Sequence, residues 1–175
     1  MRYIESLRTL QSELRDDRAA NAGRSARTLL WLFRVAGATQ ALPSALRFLT
    51  APIRAVYRSV STTLLGAEIP LGTRIGPGLA LPHHRGVVLH HAAEIGPGST
   101  LRHNVTIGVR RSGESTPKVP RLGPGVDVGA GAQILGDVEI GAGARIGAGA
   151  IVLCDVPEGG VAVGNPARVI GPSRR

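Results

Sequence analysis

The chain has 175 residues, room for one domain and a short appendage, and 43% of them are apolar, which excludes a disordered chain. Aromatics are only 3%, so the core must be built from Val, Ile, Leu and Ala in thin, regular layers. A single cysteine, Cys154, excludes a disulfide framework and a cysteine-based zinc site. The formal charge is +9, and residues 1–60 hold ten Arg against four acids. With no aromatic platform and no recognisable motif, this basic part is not read as a nucleic-acid site.

The first 65 residues carry helical spacing. Ile4, Leu7, Leu10 and Leu14 form one stripe, and a second helix is predicted over about 25–42, ending before Pro43. A third stripe runs through Leu46, Leu49, Ile53, Val56, Val60 and Leu64, with Pro52 expected to kink or split it. Arg47, Arg54 and Arg58 fall largely off that stripe. A basic amphipathic helix suits a membrane surface, or packing on the protein or a neighbouring subunit. Solvated Arg faces are commonplace, so packing is favoured and membrane contact disfavoured. The opening residues lack the apolar core of a signal peptide, and Leu29–Phe33 is too short to cross a bilayer. A cytoplasmic protein is expected.

From residue 66 the period becomes six. Aliphatic residues fall at Ile69, Ile75 and Leu81, then at Leu89, Ile95, Leu101 and Ile107, then at Leu122, Val128, Ile134, Ile140, Ile146 and Val152. Four positions after ten of these stands a small or aliphatic residue, from Thr73 to Ala150, and Gly directly follows seven. Such an internal hexapeptide repeat indicates a parallel β-helix. The aliphatic residue fills the interior, the small residue fits where the wall turns, and Gly is expected to relieve the backbone at corners.

Two places break the count. Leu81 and Leu89 are eight apart, so Pro82–Gly86 bulges; Ile107 and Leu122 are fifteen apart, which predicts a protruding loop over 109–121. A regular solenoid places function where its regularity fails. All five histidines, His83, His84, His90, His91 and His103, lie near these breaks. Three readings stand: a general base for a hydroxyl substrate, a metal site, or packing and surface histidines. Metal is disfavoured, because only Glu94 supplies a carboxylate in the cluster. His84, His90 and His91 read as structural or surface residues, and Cys154 as a small, partly buried residue rather than a nucleophile.

Residues 66–171 resemble the hexapeptide-repeat acyltransferases, closest to the serine O-acetyltransferases and their short relatives in exopolysaccharide acetylation. The resemblance rests on Ile75-Gly76-Pro77-Gly78-Leu79, on His83-x-x-Gly86-Val87-Val88 and on Val105-Thr106-Ile107-Gly108. It continues in Val128-Gly129-Ala130-Gly131-Ala132 and Ile146-Gly147-Ala148-Gly149-Ala150, and is most characteristic in Asp155-Val156-Pro157 and Gly164-Asn165-Pro166-Ala167-Arg168-Val169-Ile170. It implies a left-handed parallel β-helix over 66–175, with loop 109–121 and a C-terminal tail, behind an N-terminal helical segment of 1–65. It also implies a homotrimer in which acetyl-CoA, as co-substrate, lies between neighbouring β-helices, with no metal. By position, His83 is the base. Glu68, His103 and Lys118 would contact the acceptor, and Gly108, Ala130, Ala148 and Arg168 would contact acetyl-CoA.

Several positions depart from the family pattern. Pro82 stands where serine acetyltransferases usually carry Asp, His91 where they carry Glu, and Val119 where they carry a second histidine. Lys118 keeps a charge beside Val119, and Glu68 replaces a family Asp. The chain ends Ser173-Arg174-Arg175, without the isoleucine those enzymes dock into cysteine synthase, so that complex is disfavoured. The expected activity is O-acetyl transfer to a small hydroxyl acceptor, serine or a serine-like amino acid first. A sugar or exopolysaccharide acceptor is the alternative, and a non-catalytic β-helical scaffold comes last.

Overall fold

The computed structural model describes residues 2–111 and 118–172. Beyond residue 66 the chain winds into a three-sided parallel β-helix of very short strands. On the first face, Val88–Leu89, Thr106–Gly108, Gln133–Leu135 and Ile151–Val152 stack in order, with Glu68 bridging Val88 ahead of them. The second face stacks Arg74–Ile75, Glu94–Ile95, Arg121–Leu122 and Glu139–Ile140. The third stacks Thr100–Leu101, Asp127–Val128, Arg145–Ile146 and Gly160–Gly164. There the chain reverses, and Ala167–Pro172 closes the third face as an antiparallel strand.

The register explains the period. Leu89, Ile107, Ile134 and Val152 lie over one another, as do Ile75, Ile95, Leu122 and Ile140. All thirteen aliphatic positions are buried, none more than 8% exposed. Each such side chain contributes roughly 1.5–3 kcal/mol on leaving water. The small positions between them, Ala93, Ser99, Ala132, Ala144 and Ala150 among them, are fully buried at the corners.

The corner glycines have two distinct jobs, which corrects the sequence expectation. A Cβ on Gly96, which directly follows its aliphatic residue, would lie 2.4 Å from the carbonyl carbon of Gly123 in the next coil. Gly96 is therefore required by close stacking, not by torsion. Two residues on, Gly98 has open space but a φ of +68°, the left-handed turn itself. The loop expected over 109–121 also ends earlier than predicted: Val119 and Pro120 are buried and Arg121 already pairs with Glu94 and Glu139. Loop positions 112–117, among them Ser112, Gly113, Glu114, Ser115 and Thr116, lie outside the described residues.

An open β-helix end exposes unpaired backbone groups. Here helical side chains cover it. The helices are α1 (Arg2–Ala20), α2 (Arg24–Ala38) and α3 (Ala51–Ser59). Arg34 of α2 donates to the Ile75 and Gly76 carbonyls at 2.7 and 2.8 Å. Asp17 of α1 accepts the Gly78 and Leu79 amides at 2.9 and 3.2 Å. Asn21 donates to the Leu79 carbonyl and accepts the Leu81 amide, both at 2.7 Å. On the first face, Tyr57 donates to the Ile69 carbonyl at 2.5 Å and Ser61 to the Ala67 carbonyl at 2.6 Å. These side chains take the place of a preceding coil.

Pro52 splits the third helical stripe, as its fixed φ and missing N–H require. Ser44–Thr50 is 3₁₀-helical, α3 begins with Pro52 in its first turn, and Val60–Leu64 continues as a π-helical turn.

The outward positions distinguish the faces. The second face carries Arg74, Glu94, Arg121 and Glu139 in alternation. Arg74 pairs with Glu94, and Arg121 lies 3.0 Å from Glu139. The first face presents Glu68, Val88, Thr106, Gln133 and Ile151, only the first of them charged.

Candidate active site

The edge between the third and first faces is built from successive corners at 82–86, 102–104, 129–131 and 147–149. Backbone bonds tie them into a column. The Asn104 amide donates to Arg85, the Gly131 amide to His103 and the Gly149 amide to Ala130, at 3.0, 2.9 and 2.8 Å. The periodicity thereby brings four of the eight predicted site residues, His83, His103, Ala130 and Ala148, onto one edge.

The two extra residues aim the His83 ring outward. His83 and His103 stand in consecutive corners, both exposed, with ring centroids 5.9 Å apart and planes at 74°. The bulge is held from both sides: the Gly86 amide donates to the Gly66 carbonyl at 2.7 Å, and Asn104 closes over Gly86. A Cβ on Gly86 would lie 2.0 Å from Asn104 Oδ1, which explains the His-x-x-Gly spacing in physical terms. Asn104 itself has a φ of 55°, alone among the described non-glycine residues. Asn tolerates that left-handed conformation better than most side chains. Sequence reasoning noted His103 and passed over this contact; a lone Asn at a corner that elsewhere carries Gly was its only signal.

His84 faces the other way. It is buried, and its Nε2 has no hydrogen-bond partner. Burial, then the charges of Arg85 and His83, push its imidazole below the usual histidine range. His90 and His91 stack on each other at 4.2 Å on the opposite edge of the first face. Burial and then His91 lower the His90 imidazole.

The other predicted residues are spread out. Glu68 lies exposed on the first face beside Val88. Gly108 ends a first-face strand on the side away from Ala130 and Ala148, with nothing within 4 Å of where a Cβ would stand. Lys118 is exposed beyond it, leading into the second face. Arg168 is exposed on the closing hairpin, opposite Val163. Cys154, expected to be partly buried, is exposed, because it sits in a corner whose interior positions are taken by Val152 and Val156. Among the described residues no three His, Cys, Asp or Glu side chains gather as a metal site would require.

Residues 120–154 match the family Bacterial transferase hexapeptide (six repeats). Serine acetyltransferase 1, chloroplastic, of Arabidopsis thaliana is 48% identical over 59% of this chain and 33% of its own length. The chain spans about a third of the length of the plant serine acetyltransferases it matches. WcaB of Escherichia coli, which carries the name of a colanic acid biosynthesis acetyltransferase, is 38% identical over 68% of this chain and 72% of its own. A soybean serine acetyltransferase solved in complex with serine superposes with a TM-score of 0.79 at 33% identity, covering 93% of this chain and 70% of that one.

The chain belongs to the hexapeptide-repeat acyltransferase superfamily, and its β-helix is of the left-handed parallel kind. Among its relatives are both serine acetyltransferases and an acetyltransferase named for colanic acid biosynthesis.

Proposed function

We propose that this protein is an acetyl-CoA-dependent O-acetyltransferase acting on a small hydroxyl acceptor, L-serine or a serine-like amino acid. The observation that carries this reading is the edge on which His83 and His103 stand in adjacent corners above Ala130 and Ala148. A neutral His83 imidazole takes the acceptor's hydroxyl proton as the oxygen attacks the thioester carbonyl. Backbone N–H groups stabilise the tetrahedral oxyanion, which collapses to the acetyl ester and expels the CoA thiolate; the thiolate takes up the proton. No acyl-enzyme forms. The pantetheine arm runs along the small residues Ala130 and Ala148 and crosses the first face towards Gly108, and Arg168 takes the nucleotide phosphates. Glu68, His103 and Lys118 contact the acceptor.

A homotrimer fits this reading. The almost uncharged first face borders the histidine edge, so a second copy seated there would close a cleft beside His83. A cytoplasmic enzyme is proposed; among the described residues no helix is long and apolar enough to cross a membrane.

A sugar hydroxyl is the second reading, and Pro82 favours it. Where an Asp would orient the imidazole and meet the serine ammonium, Pro82 offers no polar side chain. Serine turnover is therefore expected to be slow and insensitive to cysteine.

The test is thiol release from acetyl-CoA with serine, homoserine and sugars, for the native chain and for His83→Ala. A loss of about 10²–10⁴-fold with an unchanged circular dichroism spectrum supports His83 as base. Near-native turnover by His83→Ala would overturn it. Absence of CoA binding by calorimetry would leave only a scaffold.

A further inference from the structure

The segment 44–64 is amphipathic, but it meets the protein with its polar side. Tyr57 and Ser61 are buried against the first coil, where they cap Ile69 and Ala67. The apolar stripe turns outward instead. Leu49, Ile53, Val56 and Leu64 are 62%, 41%, 54% and 67% exposed, and Phe48 beside them 69%. An amphipathic helix ordinarily buries that stripe, and a contiguous exposed apolar patch marks an interaction surface.

The charge carried on the same segment says what covers the stripe. Arg47, Arg54 and Arg58 follow one another at helical spacing along the same segment. Arg47 donates to the Leu42 carbonyl, Arg54 donates to the Thr50 hydroxyl and the Arg47 carbonyl, and none of the three forms an ion pair among the described residues. From residue 18 to residue 67 the sequence contains seven Arg and no Asp or Glu. The same stripe of a second copy, laid against this one, would bring two Arg rows together, each offset only by its own Glu68, which lines a cavity with Arg54 and Arg58. An anionic lipid surface complements both features: phosphate oxygens accept from the guanidinium groups, and the acyl boundary receives Phe48 and the aliphatic stripe.

We propose that segment 44–64 docks the protein on an anionic membrane, lying in the headgroup layer without crossing it. The packing that the sequence favoured for this stripe is taken instead by its polar neighbours Tyr57 and Ser61.

The test is flotation of the full chain with phosphatidylcholine vesicles, with and without phosphatidylglycerol, at low and high salt. Binding is expected only with phosphatidylglycerol, weakening about tenfold at high salt. The pair Phe48→Ser with Leu49→Ser, and separately Arg47→Gln with Arg58→Gln, should each abolish flotation. Ile170→Ser, an exposed apolar residue on the closing hairpin, should leave it unchanged. Light scattering and circular dichroism accompany each variant. No flotation of the native chain, equal flotation with both vesicles, or flotation surviving the Phe48/Leu49 change would overturn the proposal. A fall in particle mass in the Phe48/Leu49 variant would also overturn it, by making the stripe a contact between copies.

Discussion

Asp17 and Arg34 form an ion pair at 2.9 Å whose side chains are 4% and 6% exposed, and each also binds the backbone of the first coil. The pair joins α1, α2 and the β-helix at one point. Glu13 adds a weaker contact to Arg34 at 3.5 Å.

Replacing Asp17 by Ala would leave the Arg34 charge buried and two coil amides unpaired. Removing one partner of a buried pair costs about 3–5 kcal/mol. Asp17→Ala is expected to lower the melting temperature by roughly 10 °C in a calorimetric scan. Asn21→Ala, which strands one carbonyl and one amide, should cost about 1–3 kcal/mol.

The corner glycines permit a sharper comparison. Gly98→Ala meets only the cost of a left-handed backbone, about 1–2 kcal/mol, and should leave acetyl transfer intact. Gly86→Ala also drives a methyl into Asn104 and shifts the corner that carries His83. Transfer should fall by roughly 10²-fold while the far-UV spectrum persists. Equal activity in the two variants would show that the Gly86–Asn104 contact does not position His83.

Burial pushes the Tyr57 hydroxyl up to about 12, against the opposing effect of its contact with Ser61. Its unfolded value is near 10. The folded state therefore holds the proton more tightly, and this stability is fully present below pH 10 and lost as pH rises from 10 to 12. Unfolding free energy measured by denaturant titration should fall by of the order of 2 kcal/mol over that window. Tyr57→Phe should be less stable at neutral pH and flatter above pH 10.

Cys154 is exposed, so a thiol reagent should titrate it in the folded protein without denaturant. Cys154→Ala should retain full acetyl transfer, since no candidate site residue lies in its corner.

The β-helix was legible because its interior is one-dimensional. A period of six fixes which side chains face inward whatever the rest of the chain does, and Ile69 through Val152 all read correctly. The loop end at Val119–Arg121 did not, since burial of Val119 depends on a neighbouring coil. The histidine edge was half legible: an irregular count exposed His83, whereas the role of Asn104 lies in a contact across one coil. Asp17, Asn21 and Arg34 looked like ordinary solvated residues of two helices. Their partners are backbone groups roughly forty to sixty positions away, and backbone groups carry no sequence signature.

The alternating Arg74, Glu94, Arg121 and Glu139 of the second face give the stack a polarity check. A solenoid of near-identical turns can mispair by skipping one winding without moving any aliphatic residue out of the interior. On this face such a slip would set guanidinium against guanidinium and carboxylate against carboxylate. The charges thus act as a parity code, through which a chain of interchangeable repeats distinguishes each turn from the next while it folds.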